Sequence, residues 1–190
     1  MFLLQHSIIF IDSEGEPTQE LSALEMDLKS GEIVDVFHSY AYTNKNDWFA
    51  RKHIHGLDPL FLKQNGYENS AELFTAFQSW MKRKCHIVAM YGNAPNKEKK
   101  ELNLDITDIG LDNWASRHTK VYHQIAVSYK KKSLAIHTQR CNAKAHSRFQ
   151  SAIVRHNNVG DAVREQHGYH CSLYDCYELY LFFHLSHVSK

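Results

Sequence analysis

A short segment near the end of the chain, His170 to Cys176, concentrates side chains that carry protons or bind metals. It holds an imidazole, a carboxylate and two thiols within seven residues. The apolar run Tyr177 to Phe183 follows directly and predicts a helix that starts in this segment. Asp175 then projects inward from the first turns, and His170 lies at the start. Because an imidazole titrates near neutral pH, His170 is a candidate general base above a metal ion.

A second acidic group follows the first apolar segment. The run Ser7 to Ile11 is continuously β-branched and aromatic, as in a strand buried on both faces, and it ends in Asp12-Ser13-Glu14-Gly15. Asp12 and Glu14 are two apart, so in an extended segment they leave the same face of the sheet. Paired carboxylates there are costly unless a cation neutralises them, and a divalent metal is the usual answer. An ordinary polar turn is the alternative interpretation.

Together these groups predict the hydrolysis of phosphodiester bonds. Two Mg²⁺ or Mn²⁺ ions about 4 Å apart would activate a water and stabilise the leaving oxygen. Asp12, Glu14 and Asp175 would hold the ions. His170 would take the proton from the attacking water.

Cysteine and histidine residues predict one structural zinc ion. The chain has 4 Cys and 14 His, and we expect an intracellular protein without a signal peptide, where a metal site is more natural than disulfides. Cys141 and His146 have the spacing of a local zinc pair, and Cys171 is a third candidate. His167 and Cys176 are alternative ligands. A buried thiol at Cys171 and a surface histidine at His146 are the interpretations without zinc.

The elements that position these groups follow from hydrophobic periodicity. Residues 21–27 and 32–41, separated by Lys29-Ser30-Gly31, predict a hairpin. Asn69 to Glu72 resembles a helix cap and opens an amphipathic helix that runs to about Lys84. Residues 51–59 have turn chemistry. The other predicted elements are strands over 86–90 and 104–109 and helices over 95–102 and 145–154.

This order of elements predicts an α/β protein with a mixed five-stranded sheet flanked by helices, and it suits an RNase H-like fold. With 190 residues, 43% of them hydrophobic, we expect a single domain over residues 1–190. The weakly periodic region from about 112 to 167 would be the irregular C-terminal part of the domain, which the zinc ion would stabilise. A net charge of +1 argues against a strongly basic coat protein but permits a local basic groove. No apolar window is long enough for a bilayer, so we expect a soluble protein, cytoplasmic or nuclear.

Three motifs, in order, resemble those of the DEDDh 3′-to-5′ exonucleases. They are Phe10-Ile11-Asp12-Ser13-Glu14-Gly15, the loop His53-Ile54-His55-Gly56-Leu57, and the segment from His170 to Cys176. The resemblance is strongest to the exonuclease domain of arenavirus nucleoproteins and more distant to the Maelstrom domain of small-RNA pathways. It covers most of the chain. It implies a metal-dependent 3′-5′ exonuclease that acts on nucleic acid, RNA more than DNA.

The resemblance also implies further ligands and contacts. Glu20 would be the fourth zinc ligand, with Cys141, His146 and Cys171. The residues expected to contact phosphate, from the His-Gly loop, are Arg51, Lys52 and His55.

The middle motif of the family departs from the pattern, because the segment from Met90 to Glu98 contains no Asp. Glu98 is expected to substitute as the metal ligand, with Asp105 and Asp108 as poorer candidates. If Asn96 or Lys97 instead marks a lost ligand, the chain is a catalytically inactive, Maelstrom-like domain that binds RNA or a protein partner. A zinc-stabilised interaction domain without a nucleic-acid role is the third hypothesis.

Overall fold

The computed structural model describes residues 7–43, 57–81, 86–90, 95–103, 106–108, 142–157 and 172–187. Five strands in these residues form one sheet in the order β3-β2-β1-β4-β5. The first three strands are antiparallel neighbours, and β4 and β5 run parallel to β1. The α/β class with a mixed sheet is therefore confirmed. The strands are β1 Ser7–Glu14, β2 Glu20–Asp27, β3 Ile33–Tyr40, β4 His86–Met90 and β5 Ile106–Asp108.

Helices cover both faces of the sheet. They are α1 Pro59–Asn65, α2 Ser70–Met81, α3 Pro95–Leu102, α4 Ala143–Asn157 and α5 Ser172–His187. No helix in the described part of the chain is long and apolar enough to span a membrane.

Alternation along β1 divides the core between these two faces. Ile8 and Phe10 point to the side of α4 and α5, where they pack with Phe149 and Tyr177. On the opposite face, Ile9 and its neighbours pack against α2 and α3. A strand with apolar residues on both faces is the reason for the unbroken hydrophobic run in the sequence. Asp12 and Glu14 continue the alternation of Ile8 and Phe10, so they lie on the face that α5 covers.

The structure extends β1 beyond the apolar run that predicted it. Pairing with β2 continues through Asp12↔Ser22 and Glu14↔Glu20, so the acidic segment remains in the sheet. Gly15 follows at a φ of 87°, a left-handed conformation that glycine adopts without strain. The polar-turn alternative for the acidic segment is therefore wrong, and its two carboxylates are fixed by a β-ladder.

The turn after β1 is anchored from two directions. The Thr18 hydroxyl donates to Glu101 of α3 at 2.6 Å, and the Ser70 hydroxyl at the start of α2 donates to the Thr18 carbonyl at 2.8 Å. These bonds connect the turn at the end of β1 to α2 and α3, the two helices on the face opposite α5. The acidic segment is therefore held at both its ends, by the ladder and by its turn.

Candidate metal centre

Three carboxylates meet on the face of the sheet that α5 covers. Asp12 and Glu14 come from the last residues of β1, and Asp175 comes from the first turn of α5. One oxygen of each lies within 4.8 Å of the others, and all three side chains are half-buried. Strand alternation accounts for the first two groups, and the start of the helix over the sheet accounts for the third.

The arrangement suits a hard divalent cation. Three negative charges at this separation repel one another, because partial burial lowers the screening by water. Mg²⁺ and Mn²⁺ prefer oxygen ligands, and Mg²⁺ is commonly bound by one or two carboxylates with water and substrate oxygens completing the shell. Half-buried carboxylates that still face solvent leave room for such additional ligands. The donors present therefore fit Mg²⁺ or Mn²⁺.

A buried thiol lies next to the carboxylates. Cys176 follows Asp175 in α5, is fully buried, and donates through Sγ to the carbonyl oxygen of Ser22 at 3.2 Å. Burial raises the pKa of this thiol well above its usual value, and the negative charges of Asp12, Asp175 and Glu20 raise it further. The Cys176 side chain is therefore held in its neutral form.

We expect this thiol to make the metal-free protein less stable in alkali. An unfolded thiol loses its proton near pH 8.5, whereas folded Cys176 keeps it, so above that pH the unfolded state binds fewer protons and stability falls. The free energy of unfolding should decline by up to about 1.4 kcal/mol per pH unit more steeply in the native chain than in Cys176→Ala. Urea unfolding from pH 7 to 10, in chelator, measures the two slopes. Parallel slopes would contradict the expectation.

Glu20, predicted to bind zinc, forms a buried pair with a residue that sequence reasoning missed. Its Oε1 lies 2.9 Å from Nε2 of His38 on β3, and both side chains have no exposed surface. The rings of His38 and Tyr40 make an edge-to-face contact, with the centroids 4.8 Å apart. The signal in the sequence was the alternation of Val36, His38 and Tyr40, which places the imidazole on the same face of β3 as Val36 and Tyr40.

The other predicted zinc ligands are only partly described. His146 is exposed near the start of α4, one turn after Asn142, whose backbone N–H donates to the Ile33 carbonyl. Asn142 thus lies at the first residue of β3, whereas Glu20 pairs with Tyr40, the last residue of β3. Cys141, Cys171 and the alternative His167 lie outside the described residues, so the zinc site stays a prediction.

The remaining predicted residues are located as follows. Glu98 lies within α3, and Asp108 ends β5, but their side chains are outside the described part of the structure, as are those of Asn96 and Lys97. The residues that lie outside it entirely are Arg51, Lys52, His55, Asp105 and His170.

No family model matches the chain. No curated protein matches it either. Among solved structures, the chain is similar to a moderately thermophilic exonuclease I from Methylocaldum szegediense, with 13% sequence identity and a TM-score of 0.49. The match covers 96% of this chain, which spans 41% of that one.

Proposed function

We propose that this protein is a metal-dependent nuclease whose Asp12, Glu14 and Asp175 bind Mg²⁺ or Mn²⁺. The observation that carries the proposal is the approach of their oxygens to within 4.8 Å. Two of these groups come from one strand and the third from a helix far along the chain, so the fold itself assembles the cluster. The order of strands and helices agrees with the pattern from which an RNase H-like fold was predicted.

Each residue has a separate part in the proposed chemistry. Divalent ions at the three carboxylates would supply Lewis-acid stabilisation for the charge that develops on the phosphate. Asp12 and Glu14, fixed by the ladder with β2, orient the site, and Asp175 closes it from the helix. His170, two residues before α5, is proposed to accept the proton of the attacking water, because a neutral imidazole is a competent base near pH 7.

The finer assignment follows the sequence motifs. We propose a DEDDh-type enzyme that removes nucleotides from 3′ ends, of RNA more than DNA, with two Mg²⁺ or Mn²⁺ ions. Glu98 is proposed as the carboxylate of the altered middle motif. One structural zinc completes the proposal. The residues proposed to contact phosphate are Arg51, Lys52 and His55.

Digestion of end-labelled RNA and DNA in Mn²⁺ tests the proposal. The native chain should remove nucleotides stepwise from the 3′ end. Asp12→Ala and Glu98→Ala should each abolish this stepwise digestion. Glu32→Ala, at an exposed acid in the β2–β3 turn, is the matched control and should digest like the native chain. Undiminished digestion by Asp12→Ala would refute the proposed site. Undiminished digestion by Glu98→Ala would remove only Glu98 from it.

A catalytically inactive nucleic-acid-binding domain is the second candidate. The absence of Asp from the segment Met90 to Glu98 favours it, because a missing carboxylate weakens binding of the second ion. Metal-independent binding of RNA without digestion in the same assay would support this function. Binding of a protein partner, with no affinity for RNA or DNA, would support an interaction domain instead.

A further inference from the structure

Three polar groups along one edge of α5 bond to the β2–β3 hairpin. The Ser172 hydroxyl lies 2.7 Å from the Ser22 hydroxyl, and one turn later the Cys176 thiol donates to the Ser22 carbonyl at 3.2 Å. After one more turn, the Tyr180 hydroxyl donates to the Gly31 carbonyl at 2.8 Å. The three helix residues are four apart, so they form a single row on the helix surface, and all three are buried.

The row formed by Ser172, Cys176 and Tyr180 is connected to the metal centre through Ser22. That residue pairs with Asp12 in the β1–β2 ladder, so two successive turns of α5 bond to the residue beside a proposed metal ligand. Asp175 lies between Ser172 and Cys176 in the helix. Its distance from Asp12 therefore depends on the rotation and height of α5 relative to Ser22.

Apolar area alone selects that rotation only weakly. The apolar side chains that the structure describes from Leu173 to Phe183 are buried or half-buried, and they are distributed over about 200° of the helix circumference, at 3.6 residues per turn. A helix with so broad an apolar face buries nearly the same area after a modest rotation. Hydrogen bonds are directional and are lost within a fraction of an ångström, so they select one rotation where apolar contact does not.

We infer that the pair Ser22–Ser172, with the Cys176 thiol, positions Asp175 for metal binding. These are positioning residues, and the inference rests on the proposed function of the carboxylate cluster. Groups that support metal ligands without touching the ion commonly alter affinity 10- to 100-fold when they are removed. Loss of both hydroxyls should therefore weaken Mn²⁺ binding by about tenfold. Adding Cys176→Ala should weaken binding further, toward 100-fold.

A double mutant separates positioning from stability. Ser172→Ala alone leaves the Ser22 hydroxyl buried without this partner and should lower the free energy of unfolding. Ser22→Ala with Ser172→Ala removes both partners, and such paired removal is often nearly neutral for stability. The double mutant should therefore regain stability while its Mn²⁺ affinity stays about tenfold below that of the native chain.

Calorimetric titration with Mn²⁺, and urea unfolding in chelator, provide the two measurements. Ser151→Ala is the control, because its hydroxyl donates to the Ser147 carbonyl within α4, and its Mn²⁺ affinity should match that of the native chain. Native affinity in the double mutant, when Asp175→Asn abolishes binding, would overturn this inference alone. No Mn²⁺ binding by the native chain would overturn the proposed function as well. Circular dichroism establishes that each variant is folded.

Discussion

Asp12→Asn is expected to abolish Mn²⁺-dependent digestion while leaving the metal-free protein at least as stable as the native chain. The substitution keeps the shape of the side chain but removes one charge of three whose oxygens lie within 4.8 Å. Activity should fall more than about 100-fold, beyond the usual effect of removing a group that only supports a ligand. Stability in chelator should rise by an amount on the order of 1 kcal/mol, because repulsion between half-buried carboxylates is relieved.

The opposite signs of the two effects make this test specific. A residue that only holds the fold together loses stability and activity together, whereas a metal ligand in a repulsive cluster loses activity alone. Initial rates on end-labelled RNA and urea unfolding in chelator measure the two quantities. Glu32→Gln makes the same chemical change at an exposed site and should alter neither. Loss of stability in Asp12→Asn would contradict the repulsion between the carboxylates, and an undiminished rate would contradict a metal-binding role.

Local sequence patterns predicted most of the described elements because each strand or helix has its own periodicity. The turn Lys29-Ser30-Gly31 marked the hairpin, and Gly31 has a φ of 71°, where glycine is favoured. The cap at Asn69 was equally local: its side-chain oxygen accepts from the backbone N–H of Glu72 at 3.0 Å. Such signals depend on a few neighbouring residues, so they can be recognised without knowledge of the tertiary structure.

Helix α1 was missed although its sequence carries a start signal. Asp58 caps it by accepting from the backbone N–H of Leu60 at 2.9 Å, and Pro59 occupies the first turn. The same Asp-Pro pair also favours a β-turn, and a helix of seven residues has too few turns to show an apolar period. Residue chemistry at this point was therefore compatible with both structures, and tertiary packing of Leu62 decided between them.

The carboxylate pair of the site could be predicted because a strand fixes the direction of alternate side chains. Asp12 and Glu14 needed only that rule, and Asp175 needed only a helix start. The contact between Glu20 and His38 needed more. Glu20 pairs with Tyr40, and Ser22 pairs with His38, so the imidazole is a diagonal neighbour whose proximity depends on the β2–β3 register. A shift in that register near Glu25 and Met26 is not apparent from the sequence.

His38→Leu is expected to lower the free energy of unfolding by about 1–3 kcal/mol, the usual cost of leaving one partner of a buried hydrogen bond unsatisfied. The substitution leaves the fully buried Glu20 carboxylate without the imidazole that lies 2.9 Å away. Combining it with Glu20→Leu should recover at least half of the loss, because replacing both partners of a buried hydrogen bond by apolar groups is often nearly neutral. Urea unfolding of the two single variants and the double variant measures the coupling. A double variant less stable than both single ones would contradict it.

Stability in chelator and zinc content distinguish the pairing of Glu20 with His38 from the proposed zinc site. If Glu20 stabilises the fold through His38, the loss in His38→Leu persists in full when zinc is removed. His146→Leu, at an exposed position of α4, should then change the stability by less than about 0.5 kcal/mol in chelator. Without chelator, zinc content reports on the other role of Glu20. One equivalent of zinc in the native chain, lost in His146→Leu and in Glu20→Gln, would show that the carboxylate serves the metal as well as the imidazole. Less than about half an equivalent in the native chain would contradict the proposed zinc site and leave Glu20 no metal role.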